Sequence, residues 1–323
     1  MSTPLHHKWF VILNPHAGAR RGEKDKEKIL NLLKRYNFDF EYAESNYRGH
    51  TIQLARDAVK SGQKRFIVIG GDGSLNEALN GIMSVNVSGA HDVSLAMIPV
   101  GTGNDWIRTF DIPNDYKKSI EVIRQDNLVL QDVGMVTWGK NGSTETRFFA
   151  NMAGFGYDAV VADKVNSMKD KGWSGKWLYL WSLAFSYLKY KTCMMRFEVD
   201  GQRFNETIFT VSIGIGKFNG GGMMQAPDAV PDNGEFNMTL IRKIGVWGIL
   251  KNLRGLYNGS FLKDPHVLTT SGREVRIESR RMIPGEVDGE QLGKSNFTIS
   301  LIPKGISVYC GSDKYLKQKL KSH

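Results

Sequence analysis

The N-terminal part of the chain alternates two kinds of hydrophobic pattern. Short unbroken apolar runs, WFVIL at 9–13 and FIVI at 66–69, have the length and composition of buried strands. Between them, apolar positions recur at helical spacing. Ile29, Leu32 and Leu33 give 23–37 an inward face, 51–62 reads as a helix ending at Gly62, and Leu75, Ala78, Leu79 and Ile82 fall at i, i+3, i+4 and i+7. FDFEYAES (38–45) and VSLAMIPV (93–100) read as strands, and KKSIEVIRQ (117–125) as a helix. This alternation predicts an α/β domain, a mostly parallel sheet with helices on both faces. Such sheets bind ligands beyond the carboxyl ends of their strands, where three loops fall here: Asn14–Gly18, Gly70–Ser74 and Gly101–Asp105.

Near residue 128 the pattern changes to short strand candidates separated by turn signals, at 127–138, 144–154, 194–204, 206–216, 236–244, 273–281 and 296–303. This predicts an all-β sandwich or flattened barrel, interrupted by helices at 173–190 and 245–258. The expected division is a nucleotide-binding domain at 1–128 and a β-rich domain at 129–304, with the tail 305–323 packing back on the first. Exposed strand edges in the β domain offer a route to a homodimer.

The stretch VIGGDGSLNEALNGI (68–82) carries the clearest chemical signal. Gly70, Gly71 and Gly73 follow a strand and are expected to take backbone angles that a Cβ resists. Ser74 and Glu77 have the spacing of a capping box. Strand, glycine turn and helix together leave backbone N–H groups and the positive end of a helix dipole facing one point, which suits a phosphate.

Composition narrows the partner. The 323 residues are 41% apolar and carry a formal net charge of +10, which favours a nucleotide, a nucleic acid or an anionic lipid surface. Cys193 and Cys310 give neither a disulfide framework nor a metal spacing, as for reduced thiols of a cytoplasmic protein. The N-terminus lacks a signal-peptide core, and WLYLWSLAFSYL (177–188) is too short to span a bilayer. The segment 171–191 combines aromatic residues with flanking lysines, which suits either a headgroup interface or a helix packed on the β domain.

The phosphate site is of neither common class. The GKS at 293–295 would need a glycine where Asp288 stands, and no G-x-G-x-x-G follows a strand. Instead NPHAG, GGDGSLNEALNG and PVGTGND occur in order, followed by DGE at 288–290. Together these motifs resemble the diacylglycerol kinase catalytic family, which includes bacterial soluble lipid kinases and sphingosine kinases. The resemblance runs from about Trp9 to the end of the chain and implies a nucleotide domain of the NAD kinase type.

It further implies ATP and Mg2+ as cofactors, and a lipid with a free hydroxyl as acceptor, diacylglycerol or a related lipid. It implies no nucleic acid, and a cytoplasmic enzyme peripheral at an anionic membrane surface. Asn14, Pro15 and Gly18 would line the nucleotide pocket with Arg20 or Arg21 near phosphate, and Ser45 would contact nucleotide. Gly70, Gly71, Asp72, Gly73 and Ser74 would hold the phosphates, with Glu77 near base or ribose. Gly101 and Thr102 belong to the same pocket, and Asn104 and Asp105 either contact nucleotide or order the loop. Glu290 is the implied base for the lipid hydroxyl, Asp288 supports it, and Asp132 is tied to the site through metal or water. Val230, Asp232, Asn233 and Glu235 fall where bacterial members hold a structural Mg2+. Asn233 replaces the usual aspartate there, and a plain turn competes with the metal reading. Ala17 replaces the usual serine of the first motif. A soluble NAD kinase and a non-catalytic nucleotide- or membrane-binding relative are the alternatives.

Overall fold

The computed structural model describes residues 8–170, 190, 192–245, 248, 252 and 254–311. The chain forms two compact units, one holding the residues up to Asp132 and those from Lys304 on, the other Val133–Pro303. The aromatic segment 171–191, Tyr190 apart, and the basic tail beyond Gly311 lie outside the described residues.

Unit one runs β1 (Trp9–Leu13), α1 (Ala17–Lys24), α2 (Lys26–Arg35), β2 (Phe40–Glu44), α3 (His50–Lys60), β3 (Arg65–Gly70), α4 (Asp72–Met83), β4 (Ala90–Pro99), α5 (Trp106–Thr109) and α6 (Tyr116–Arg124). β1 pairs in parallel with β2 and β3, and β3 with β4. The last strand, Phe297–Tyr309, ends here, with Ile306–Val308 parallel to β4. Strand residues Val11, Leu13, Ile67, Ile69, Ala96 and Ile98 pack against helix residues Ile29, Leu33, Ile120 and Ile123. The helix at 26–35 buries Ile29, Leu30 and Leu33 and leaves Leu32 half-buried, a small rotation from the expected face. α6 starts where Asp115 accepts a hydrogen bond from the Lys118 N–H (2.9 Å), a side-chain N-cap.

Unit two contains β5 (Leu128–Lys140, from Val133 on), β6 (Ser143–Phe149), β7 (Met152–Gly156), α7 (Tyr157–Asp170), β8 (Cys193–Val199), β9 (Gln202–Gly214), β10 (Phe236–Arg242), β11 (Val267–Gly272), β12 (Glu274–Glu278), β13 (Ile283–Val287), β14 (Glu290–Ser295) and the first part of β15 (Phe297–Tyr309). Their pairings within this unit are antiparallel. Phe149 stacks on Phe236 at 5.8 Å and Phe155 tilts onto Phe297 at 4.8 Å inside its core.

The α/β domain with its parallel strands and the β-rich domain agree with the sequence pattern. Four elements of unit two do not appear in that pattern. The helix 157–170 follows directly on β7, β11 has few apolar residues, and 284–293, around the DGE motif, is the hairpin β13–β14. The run 144–154 is two strands, β6 and β7, broken at Ala150–Asn151. Among the described residues, no helix is long and apolar enough to cross a membrane.

Candidate active site

Unit one brings its three loops together at the carboxyl ends of β1, β3 and β4. Asn14 follows β1; its Nδ2 donates to the Ser74 hydroxyl (2.8 Å) and its Oδ1 accepts from the His16 N–H (3.0 Å). Asp72, the first residue of α4, accepts from the N–H groups of Asp105 and Trp106, both at 3.1 Å. Arg21 donates to the Gly18 carbonyl (3.2 Å) and to the Gly101 carbonyl (3.1 Å). The loops also touch backbone to backbone. A Cβ on Gly101 would lie 2.7 Å from the Gly71 Cα, and one on Gly18 would lie 2.0 Å from the Val100 carbonyl oxygen.

The helix start in this arrangement fits a phosphate chain. Gly71 is the N-cap of α4 and no side chain caps the helix, so the first-turn N–H groups have no side-chain acceptor. Asn104 is buried, its Nδ2 donates to the Gly101 carbonyl (2.9 Å) and to Asn114 Oδ1 (2.8 Å), and its Oδ1 has no hydrogen-bond partner. That oxygen stands beside the Gly71–Gly101 contact. Thr102 is exposed on the same loop, and Asp105 lies 3.4 Å from the Arg108 guanidinium.

The structure corrects two details of the sequence reading, the capping box and the glycine backbone angles. The helix begins at Asp72, so Ser74 lies inside it and the capping box with Glu77 does not form. Glu77 instead accepts from the Gly49 N–H (2.8 Å) at the start of α3. Gly70, Gly71 and Gly73 are absent from the residues with positive φ, and Gly71 is extended at φ −122°; close approach, rather than backbone angle, explains Gly70 and Gly71. Of the two arginines, Arg21 reaches the loops, while Arg20 lies at the surface 3.9 Å from Glu23. Left-handed angles occur instead at Gly18, Ala19 and Arg20, with φ of 61°, 56° and 66°. Ser45 is buried after β2, its N–H donating to the Leu13 carbonyl (2.9 Å), and the Pro15 carbonyl accepts from Glu23 (3.0 Å).

Asp132 is buried in unit one and accepts from the Lys304 N–H (2.6 Å), which fixes a turn where Lys304 has φ 51°. In unit two, Asp288 and Gly289 both have positive φ and form the two-residue turn of the β13–β14 hairpin, as Asp-Gly favours. The Asp288 carboxylate accepts from three successive N–H groups, those of Ala150 (2.9 Å), Asn151 (3.1 Å) and Met152 (2.9 Å). It therefore organises the break between β6 and β7. Glu290 opens β14 and is half-buried.

Two carboxyl groups beside it carried no motif in the sequence. Glu286 is fully buried and accepts from the Gly289 N–H (2.7 Å); burial holds its carboxyl well above the usual range, with Asp158, Asp288 and Glu290 adding to the effect. Asp158, at the start of α7, accepts from the Ser212 hydroxyl (2.8 Å), yet burial pushes its pKa up to about 6. Ser212 also bonds to Gln225 (3.3 Å), and Gln225 accepts from Asn219 (3.0 Å). The alternation of Glu286 with apolar Ile283 and Val287 along β13 is the only signal that could have marked it.

The loop 226–238 folds as a turn into β10. Asn233 Oδ1 accepts from the Glu235 N–H (3.1 Å), an Asx turn that already uses the oxygen assigned to a metal. Val230 and Asp232 precede it in the same turn. Among the described residues, no group of three or more His, Cys, Asp or Glu side chains is placed to hold a metal ion. Asn233 brings a neutral amide oxygen where a charged carboxylate would stand, and no chemistry is routed through this loop.

Comparison with known proteins accounts for this arrangement. Residues 8–136 match the diacylglycerol kinase catalytic domain, and residues 151–310 the YegS C-terminal NAD kinase beta sandwich-like domain. A diacylglycerol kinase of Staphylococcus carnosus (strain TM300) is 27% identical over 304 residues, 94% of this chain and 95% of that protein. One from Staphylococcus aureus (strain MRSA252) is 27% identical over 305 residues, 94% of this chain and 92% of that protein. In fold, the chain is similar to a diacylglycerol kinase from Bacillus anthracis str. Sterne (TM-score 0.70, 19% identity, 96% of this chain and 99% of that one). It is also similar to yeast NADH kinase complexed with NADH (TM-score 0.52, 13% identity, 99% and 91% covered). With a diacylglycerol kinase catalytic domain followed by the matching β-sandwich-like domain, the chain is an enzyme similar along most of its length to diacylglycerol kinases.

Proposed function

We propose that this enzyme transfers the γ-phosphoryl group of ATP to the hydroxyl of a lipid, with diacylglycerol or a related lipid as acceptor. The observation that carries the reading is the Asp72 bridge. It locks the Gly70–Ser74 loop to the Gly101–Asp105 loop and holds an uncapped helix start beside the Gly71–Gly101 contact. Phosphoryl transfer asks a protein mainly for such positioning and for charge stabilisation. Mg2+ carried with ATP would neutralise the phosphate oxygens.

Unit one supplies backbone N–H groups for the phosphates, with Asn14 and Ser74 fixing the first loop against the second and Arg21 tying the first to the third. Unit two supplies the base. Glu290 takes the proton of the acceptor hydroxyl, that oxygen attacks the γ-phosphorus, and ADP leaves. Asp288 holds the turn that presents Glu290. Transfer of label from γ-labelled ATP to a panel of lipids in mixed micelles tests the assignment. A labelled lipid product is expected, and Glu290→Gln should lower kcat by about 100-fold or more. Full activity of that variant removes Glu290 from the base role.

The likeness to yeast NADH kinase favours one competing reading, in which a nicotinamide dinucleotide is the acceptor. Label appearing on NAD and on no lipid would establish it.

A further inference from the structure

Among the described residues, the two most exposed large hydrophobic side chains are Met194 (66%) and Met282 (62%). Met194 lies on the outer face of one strand of unit two, and Met282 ends the turn that is bonded to it. β8 buries Met195 and Phe197 and leaves Met194 and Arg196 on its outer face, and β12 places Glu278 opposite Arg196, 3.7 Å away. The turn from β12 to β13 then carries Ser279, Arg280, Arg281 and Met282. This turn is fixed onto β8. The Ser279 hydroxyl donates to the Met194 carbonyl (2.9 Å) and accepts from the Arg281 N–H (3.3 Å), while Asn296 Oδ1 accepts from the Ser279 N–H (3.1 Å). A cavity of about 740 Å³ opens here, lined among others by Met194, Arg196, Glu278, Arg280, Arg281 and Asn296.

The charges are unbalanced. Three arginines face one glutamate, and no carboxylate of the described residues lies within ion-pair distance of Arg280 or Arg281. Guanidinium groups are weakly hydrated and match phosphate oxygens with a two-pronged fork. Methionine is flexible and apolar, and adapts to an irregular hydrophobic phase. Exposed methionines between cations match the boundary between headgroups and acyl chains, where anionic lipids attract each nearby cation.

We propose that the β8–β12 surface docks the enzyme on an anionic phospholipid bilayer. Arg280 and Arg281, with Arg196, bind headgroup phosphates, and Met194 and Met282 enter the acyl boundary. The proposal rests on the lipid-acceptor reading, since it gives that reading its membrane, but its test needs no turnover. The full chain is sedimented with phosphatidylcholine vesicles with and without phosphatidylglycerol. Wild type should bind the anionic vesicles and hardly the neutral ones. Arg280→Gln combined with Arg281→Gln should weaken that binding about 30-fold at low salt, because each cation near such a surface contributes about one fivefold step. Replacing both by lysine should restore most of it. Met194→Ser with Met282→Ser should remove the binding that survives high salt.

Sedimentation of the glutamine and serine variants at wild-type levels overturns the proposal. So does loss of turnover on a short-chain, water-soluble acceptor in the glutamine variant, because the arginines would then serve catalysis rather than docking. If arginine-dependent vesicle binding persists and no lipid is phosphorylated, the docking surface stands and the kinase reading falls.

Discussion

Asp288 sits in the DGE motif, where residue type alone suggests catalysis, yet its carboxylate holds the N–H groups of Ala150, Asn151 and Met152. Removing it leaves three donors in a packed turn without their acceptor. Asp288→Ala should therefore cost about 3–5 kcal/mol, read from urea denaturation, and Asp288→Asn should recover part of that. A loss under 1 kcal/mol would show that water replaces the carboxylate. Asp158 makes a prediction of opposite character. Its folded pKa of about 6 lies above its usual value of 3.8, so the folded state holds the proton more tightly. Its contribution to stability is then present in full below about pH 4 and lost as pH rises through about 6, a change on the order of 2–3 kcal/mol. Asp158→Asn has no such proton to lose, so its stability relative to wild type should rise across that window; parallel pH profiles would refute this. The motif was legible only through its resemblance to the kinase family, and the use of the Asp288 carboxylate depended on backbone N–H groups 136–138 residues away in sequence.

At the level of elements, strong periodicity was readable and weak pattern was not. β1 matches its apolar run residue for residue, and the buried face of α4 contains Leu75, Ala78, Leu79 and Ile82 as the spacing required. β14, EQLGKS, has one buried apolar residue, Leu292; it is a strand because the Asp-Gly turn folds it onto β13. α7 does carry Tyr157, Val161 and Val165 at four-residue spacing on its buried face, but it continues straight from the apolar β7, so the change of period was hidden. The glycine loops were found for the wrong backbone reason. Their role is contact, and contact can be tested. A Cβ at Gly101 would stand 2.5 Å from Asn104 Oδ1 and 2.7 Å from the Gly71 Cα. Gly101→Ala should raise the KM for ATP about tenfold with the fold retained, since small displacements of a positioned phosphate are costly. Unchanged kinetics would mean that the two loops separate freely.

For the whole molecule, each unit has its own hydrophobic core. Phe155 shows how far the second core can be disturbed. It is fully buried against Phe297, and Phe155→Ala should cost about 3–5 kcal/mol in thermal or urea unfolding. The net charge of +10 suits both a polyphosphate and an anionic lipid surface, which is why composition alone could not separate them. The phosphate cradle of unit one is tested by a calorimetric titration of the wild-type chain and of Gly101→Val with ATP, ADP and AMP. Affinity should rise with each added phosphate, and Gly101→Val, still folded by circular dichroism, should lose this dependence. Equal affinity for ATP and AMP, or unchanged ATP binding by the folded variant, would contradict it.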